Sequence, residues 1–151
     1  MKNINIEKLK EMVGKELGVS NWIKINQNRI NSFAKCTEDY QFIHLDEEKT
    51  KDQTSFGGTI AHGFLSLSLL SKFANESTFN FENKKIIINY GFNKIRFINP
   101  VRVGKKIRAK FFLLELSLRK HDQVLIKYEV TIEIEGEEKP AVFAEWLTLL
   151  V

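Results

Sequence analysis

The sequence predicts an α+β domain in which one apolar helix packs against a curved antiparallel sheet. Three observations carry this. Residues 60–74 are apolar on nearly every side (Ile60, Ala61, Phe64, Leu65, Leu67, Leu69, Leu70, Phe73, Ala74), the pattern of a helix enclosed by other elements. Residues 123–134 set Val124, Ile126, Tyr128, Val130, Ile132 and Ile134 between mostly polar or charged neighbours. A period of two means a strand with one buried and one wet face. The second half of the chain is β-rich throughout, with polar turns at 119–122 and 135–137.

The elements follow in order. Residues 4–13 place Ile6, Leu9, Met12 and Val13 at helical spacing, with Gly14 set to end the helix. Trp22, Ile23 and Ile25 suggest a short strand. Residues 28–37 put Ile30, Phe33, Ala34 and Thr37 on one helical stripe. From 39 to 56 the chain reads as an irregular segment with a turn of helix at 46–51, and a stretch of that length inside one domain is often functional. Strands are expected at 86–90 and 92–98, ending at Pro100, then at 106–118, long enough to curve, and at 141–150. The sheet should wrap the helix with its inward residues on Phe64, Leu67 and Phe73. Five or six strands leave edges that a subunit partner would cover, so a homodimer is expected.

Composition narrows the function classes. The chain has 151 residues, enough for one domain with a real core. A hydrophobic fraction of 43% and only two prolines argue against disorder. Lys and Arg exceed Asp and Glu by 23 to 19, a formal charge of +4 that suits anionic small molecules. No recognised nucleic-acid module accompanies it, so nucleic acid is not an expected partner. Cys36 is the single cysteine, which excludes an intrachain disulfide; it reads as a small buried side chain in a reducing, cytoplasmic setting. The first residues hold no apolar signal segment. The 60–74 helix is too short for a bilayer and is interrupted by His62, serines and Lys72, so no membrane span is expected. With three scattered histidines, no metal site is expected.

The chemistry concentrates between Asp39 and Gly63. A carboxylate and an imidazole, Asp39 and His44, lie five positions apart in the irregular segment and can share proton transfer near neutral pH. Loop spacing alone does not place them together; a helix-ending Asp and a surface His fit it too. Gly57-Gly58 permits backbone geometry that a Cβ forbids, and Thr59 is a candidate helix N-cap. His62-Gly63 then falls in or near the first turn. A glycine there either lets a ligand oxygen approach its N–H at the positive helix end or permits close helix–sheet packing.

Here the chain resembles a known family. Phe33-Ala34, then Asp39-x-Gln41-x-Ile43-His44-x-Asp46, then the run from Phe56-Gly-Gly-Thr-Ile-Ala-His-Gly to Leu70 resemble the MaoC-like dehydratases, and within them the nodulation-protein-N-like branch. The likeness continues through residues 89–97, 100–104 and 139–146, so nearly the whole chain is covered as one domain, 1–151. The resemblance implies a hotdog fold and (R)-specific hydration of trans-2-enoyl-CoA, or the reverse dehydration of a 3-hydroxyacyl thioester. It implies Asp39 and His44 as the dyad that activates water, Gly63 as the N–H donor to the thioester oxygen, and Ser68 as the helix serine near the dyad. Two positions depart from the family's Asp-x-Asn-Pro-x-His pattern: Gln41 stands for Asn and Phe42 for Pro. Gln41, Tyr40 and His62 are counted with Ser68 as substrate-binding residues. No cofactor is implied beyond the coenzyme A or acyl-carrier-protein moiety of the substrate.

Two rival functions fit the same fold: an acyl-CoA thioesterase, and a non-catalytic acyl-thioester-binding subunit. Among other residues, Lys106, Arg108 and Lys110 would share one strand face, either to meet the phosphates of coenzyme A or as a solvated face that discourages edge pairing. Trp22 and Trp146 read as core or interface residues and His121 as a turn bystander. Phe64, Phe79 and Phe81 are placed to shorten an acyl tunnel.

Overall fold

The computed structural model describes residues 2–81 and 86–151. Its elements in chain order are β1 (Lys2–Ile4), α1 (Ile6–Lys10), β2 (Glu16–Val19), β3 (Ile23–Lys24), α2 (Gln27–Thr37), α3 (Phe42–Leu45), α4 (Glu47–Gln53), α5 (Gly63–Ser68), α6 (Leu70–Ser77), β4 (Phe79–Phe81), β5 (Ile87–Phe97), β6 (Lys106–Leu118), β7 (Val124–Ile134) and β8 (Val142–Leu150). The main sheet runs β2-β6-β7-β8-β5, with β3 also on β6, and its pairings are antiparallel. A small parallel pair joins β1 to β4.

The alternation in the sequence dictates which face is buried. Along β7 and β8 every second residue is buried, so Val124, Ile126, Tyr128, Val130, Ile132 and Ile134 meet Val142, Ala144, Trp146, Thr148 and Leu150 on the inner face. Phe73 of α6 is fully enclosed there, in one cluster with Phe111, Leu113, Leu65 and Leu70. Tyr128, Trp146 and Phe111 form an aromatic group, with the Tyr128 and Trp146 rings 5.4 Å apart. Burial pushes the Tyr128 phenol up to about 12, so it stays neutral in the core. Register slips in β6 after Leu113 and in β5 after Asn89 and Phe92 bend the sheet around the helices.

Several expectations are corrected. The apolar run does not begin its helix at Ile60. Residues 59–61 are extended, bonding Ala61 N–H to the Val101 carbonyl and Val103 N–H to the Thr59 carbonyl, and the helix opens at Gly63 with His62, not Thr59, at the cap position. Short apolar runs look alike in helix and strand, which is why periodicity missed the change. The helix is interrupted at Leu69 and continues to Ser77. It is also not enclosed on every side: Phe64 is 64% exposed, edge-on to Phe97 with centroids 5.5 Å apart. The segment 39–56 holds two short helices, α3 and α4, the second capped by Asp46 accepting from the Lys49 N–H. Residue 4 belongs to a strand, so the first helix is shorter than its stripe suggested, and β2 and β4 had no clear signal. Cys36 is exposed, on the outer side of α2. Trp146 is core, whereas Trp22 is partly exposed beneath the Arg108 guanidinium. The Phe81 side chain lies outside the described residues.

Gly18 in β2 explains how closely α6 sits on the sheet edge. A Cβ there would stand 2.1 Å from the Ser77 carbonyl oxygen, so only a bare backbone fits. Among the described residues no helix is long and apolar enough to cross a membrane.

Candidate active site

The two halves of the motif are tied together by main-chain bonds. α2 ends at Glu38, which takes the left-handed conformation (φ 59°) and turns the chain so that Asp39 begins a new direction. The Asp39 carboxylate accepts the Gln41 N–H, and α3 follows, carrying His44 on its inner side. The extended segment beyond Gly57 and Gly58, both at positive φ, lies alongside: Ile60 N–H donates to the Ile43 carbonyl. Gln27 of α2 reinforces this, donating to the His44 carbonyl while accepting from the buried Thr59 hydroxyl.

His44 is 6% exposed, and its Nδ1 lies 2.8 Å from the Ile60 carbonyl. A carbonyl only accepts, so Nδ1 carries the proton and Nε2 keeps its lone pair. Burial lowers the His44 pKa below 6.5; the bond to Ile60 raises it, the neighbouring His62 lowers it, and the Asp39 carboxylate raises it. The neutral form is therefore favoured, as a proton acceptor requires.

His62 is buried at 3% exposure and stacks on His44, with centroids 3.7 Å apart and planes inclined by 25°. Its Nε2–H donates to the Asp39 carbonyl at 3.0 Å, and its Nδ1 is buried with no partner among the described residues. The Asp39 carboxylate and one nitrogen from each imidazole fall within 4.8 Å of one another. Such a cluster invites comparison with a metal centre. Stacked rings, however, direct their lone pairs in near-parallel planes instead of converging on one point about 2.0–2.1 Å away. Two of the ring nitrogens are already engaged by carbonyls. The arrangement suits proton transfer through water better than cation binding.

Beside the cluster lies a cavity of about 400 Å³ with mainly apolar walls, to which Ile43, His44, Phe56, Gly63, Ser66 and Phe97 contribute. Gly63 is the first residue of α5, so its N–H has no carbonyl within the helix to bond. A Cβ at Gly63 would come 2.8 Å from the Phe97 ring, which accords with the close-packing reading of this glycine.

The substrate-side residues fall differently from expectation. Asp39, His44, His62 and Gly63 are brought together. Ser68 is exposed and donates to the Phe64 carbonyl in its own helix, so it does not line the cavity. The buried hydroxyl on the cavity wall is that of Ser66. Ser66 lies three residues beyond Gly63, nearly one turn along the same helix face, whereas the resemblance points to Ser68. Tyr40 is 58% exposed and Gln41 is also exposed, and neither lines the cavity. Lys106, Arg108 and Lys110 are paired with Glu135, Glu133 and Glu16 at 3.0, 2.6 and 2.8 Å, which favours the solvated-face reading.

The chain is 44% identical over 149 residues to nodulation protein N of Rhizobium meliloti (strain 1021), covering 99% of this chain and 92% of that one. It is 38% identical over 141 residues to 3-hydroxyacyl-thioester dehydratase Z of Mycobacterium tuberculosis (strain H37Rv), covering 93% and 92%. Its structure matches the (R)-hydratase of A. caviae involved in PHA biosynthesis with a TM-score of 0.70 and 25% identity, over 90% of this chain and 94% of that one. The fold is the hotdog fold. Residues 8–137 match the MaoC like domain, and the chain belongs to the MaoC-like family of dehydratases.

Proposed function

We propose that this chain hydrates trans-2-enoyl thioesters to (R)-3-hydroxyacyl thioesters, or catalyses the reverse dehydration, with coenzyme A or an acyl carrier protein as the thiol carrier. The observation that carries the reading is the gathering of the Asp39 carboxylate and the His44 imidazole within 4.8 Å, beside an apolar cavity whose wall includes Gly63, the first residue of α5. An acyl chain suits apolar walls, and the thioester oxygen suits an N–H at a helix start. Polarised there, the β carbon becomes electrophilic. A water held between Asp39 and His44 loses a proton to one of them as it attacks, and a proton reaches the α carbon. The membership of a hydratase and a dehydratase among similar proteins supports the same chemistry.

A homodimer belongs to this reading. β5 is an edge strand of the main sheet and leaves Ile87, Ile88, Tyr90, Phe92 and Phe97 at least a third exposed. Exposed apolar side chains along an unpaired edge favour a second copy. Phe64 and Phe97, both exposed, also line the cavity, so a partner there would screen the site from water.

The test is an assay of purified protein with enoyl-CoA substrates of several chain lengths, following loss of the conjugated enoyl absorbance and resolving the product enantiomers. Formation of the (R)-alcohol without release of free thiol is the expected result. Thiol release would support the thioesterase instead. Binding without loss of the double bond would support a non-catalytic subunit.

A further inference from the structure

We propose that His62 is the positioning residue of this site: stacked on His44 and bonded through Nε2–H to the Asp39 carbonyl, it holds the two dyad residues in register. This rests on the dyad assigned above and gives His62 a role other than contact with substrate. His62 has three constraints at once. It is buried, its ring lies 3.7 Å from that of His44, and the Phe33 ring packs against it at an inclination of 52° with centroids 5.1 Å apart. A buried ring in contact with two others cannot rotate without moving its neighbours.

The consequence for His44 follows from two perpendicular restraints. The Nδ1–H bond to Ile60 fixes the direction in which the imidazole points within its plane. That bond alone leaves the plane free to tilt about the N···O axis. Stacking on His62 sets the tilt. For Asp39, the restraint is on the main chain: the side chain is 53% exposed, yet its carbonyl is anchored by His62. One imidazole thus connects the loop that presents the carboxylate to the ring that presents the base. The acceptor being a carbonyl also fixes the tautomer of His62, with its proton on Nε2.

Once protonated, His62 also acts on His44 by charge. The neighbouring groups whose charge bears on His44 are His62, which disfavours its protonation, and Asp39, which favours it. Replacing His62 by a neutral side chain removes the first influence and leaves the second.

The test uses His62→Phe, which keeps a stacked ring and loses the donor, and His62→Gln, which keeps a donor and loses the ring. Each should lower kcat about 10- to 100-fold, the scale of a displacement near 1 Å in a reacting group, while KM for the enoyl thioester changes less than about threefold. In both variants the acid limb of kcat should move to higher pH. A residue that served only packing would lower the melting temperature and leave the pH profile in place. Imidazole NMR provides a second readout that does not require turnover, and the chain's three histidines make assignment simple. In the unmodified protein His44 should be the Nδ1–H tautomer and His62 the Nε2–H tautomer; the opposite tautomer at either ring overturns the proposal even if no variant folds. Variants that fold and retain normal kcat, pH profile and His44 titration also overturn it. An unmodified protein that hydrates no enoyl thioester refutes the proposed function, while the NMR result still decides the role of His62.

Discussion

Gly63→Ala separates the catalytic demand on this position from its structural one. The added Cβ would lie 2.8 Å from Cδ1 and 3.0 Å from Cε1 of Phe97, about 0.6 Å inside ordinary contact. Phe97 is 48% exposed, so its ring can give way, and the overpacking cost should stay near the lower end of the range, about 1 kcal/mol. Alanine offsets that by about 0.5–1 kcal/mol relative to glycine in a helix. Net stability should therefore change little, with the melting temperature within about 4 °C of the parent. The site is less forgiving. The new methyl group and the displaced ring stand on the cavity wall next to the Gly63 N–H, where the proposed function brings a thioester oxygen to about 2.7–3.1 Å. A misplacement near 1 Å costs about 10²-fold, so kcat/KM for an enoyl-CoA should fall between about 10- and 100-fold. Thermal denaturation and a continuous absorbance assay on the same preparation would measure both quantities. A folded Gly63→Ala protein with kcat/KM within about threefold of the parent would refute the placement of the thioester oxygen at this N–H.

Other perturbations test different parts of the structure. Asp39→Asn and His44→Ala should each lower kcat by about 10²–10⁴-fold with the circular dichroism spectrum unchanged; near-normal turnover in either would remove that residue from the dyad. Because burial holds His44 below 6.5, the acid limb of kcat/KM should have its midpoint below that pH, and a midpoint above it would contradict the assignment. The same shift has a stability counterpart: as pH falls below 6.5 the unfolded chain takes up a proton that folded His44 resists, so stability from this group decreases toward acid, as pH-dependent melting would reveal. Lys106→Gln with Arg108→Gln should leave KM for a CoA thioester within about twofold, since both cations face glutamates on the outer sheet surface; a large rise would restore a role in phosphate binding. Gly18→Ala should destabilise by about 1–3 kcal/mol or more in denaturant melts, because its Cβ would meet main-chain oxygen that cannot swing aside.

How much of this was legible before any coordinates depended on whether the signal was periodic. β7 announced itself because one face is core and the other wet, and the two faces alternate residue by residue. β2 and β4 are three or four residues long, too short for a period to emerge, and they are defined by pairing with distant segments. At the site, residue types made Asp39, His44 and Gly63 candidates and the family resemblance gave them roles, but their convergence depends on the bonds of Ile60 to α3, which no local pattern encodes. The role of His62 was hidden for the same reason: a histidine at a helix start gives no sign that another ring will stack on it. Ser68 came from the resemblance alone; two residues from Ser66 it lies on the opposite side of the helix, exposed, while Ser66 is buried on the cavity wall.

The main-chain tie between the two halves of the motif bears on the positions where this chain departs from the commoner family pattern. Gln41 contributes its N–H to the Asp39 carboxylate and its carbonyl to the His44 N–H, bonds that asparagine could make equally well. Phe42 is the first residue of α3, where an amide hydrogen has no helical partner, so proline loses nothing there and phenylalanine gains nothing. Its carbonyl, which both residues possess, receives the Asp46 N–H and the Thr50 hydroxyl. The side chains of Gln41 and Phe42 take no part in these bonds; Gln41 is exposed, and the half-buried Phe42 ring lies under the Lys49 ammonium. The backbone route that brings Asp39 beside His44 thus draws on main-chain atoms of these two residues and on no side-chain atom of either.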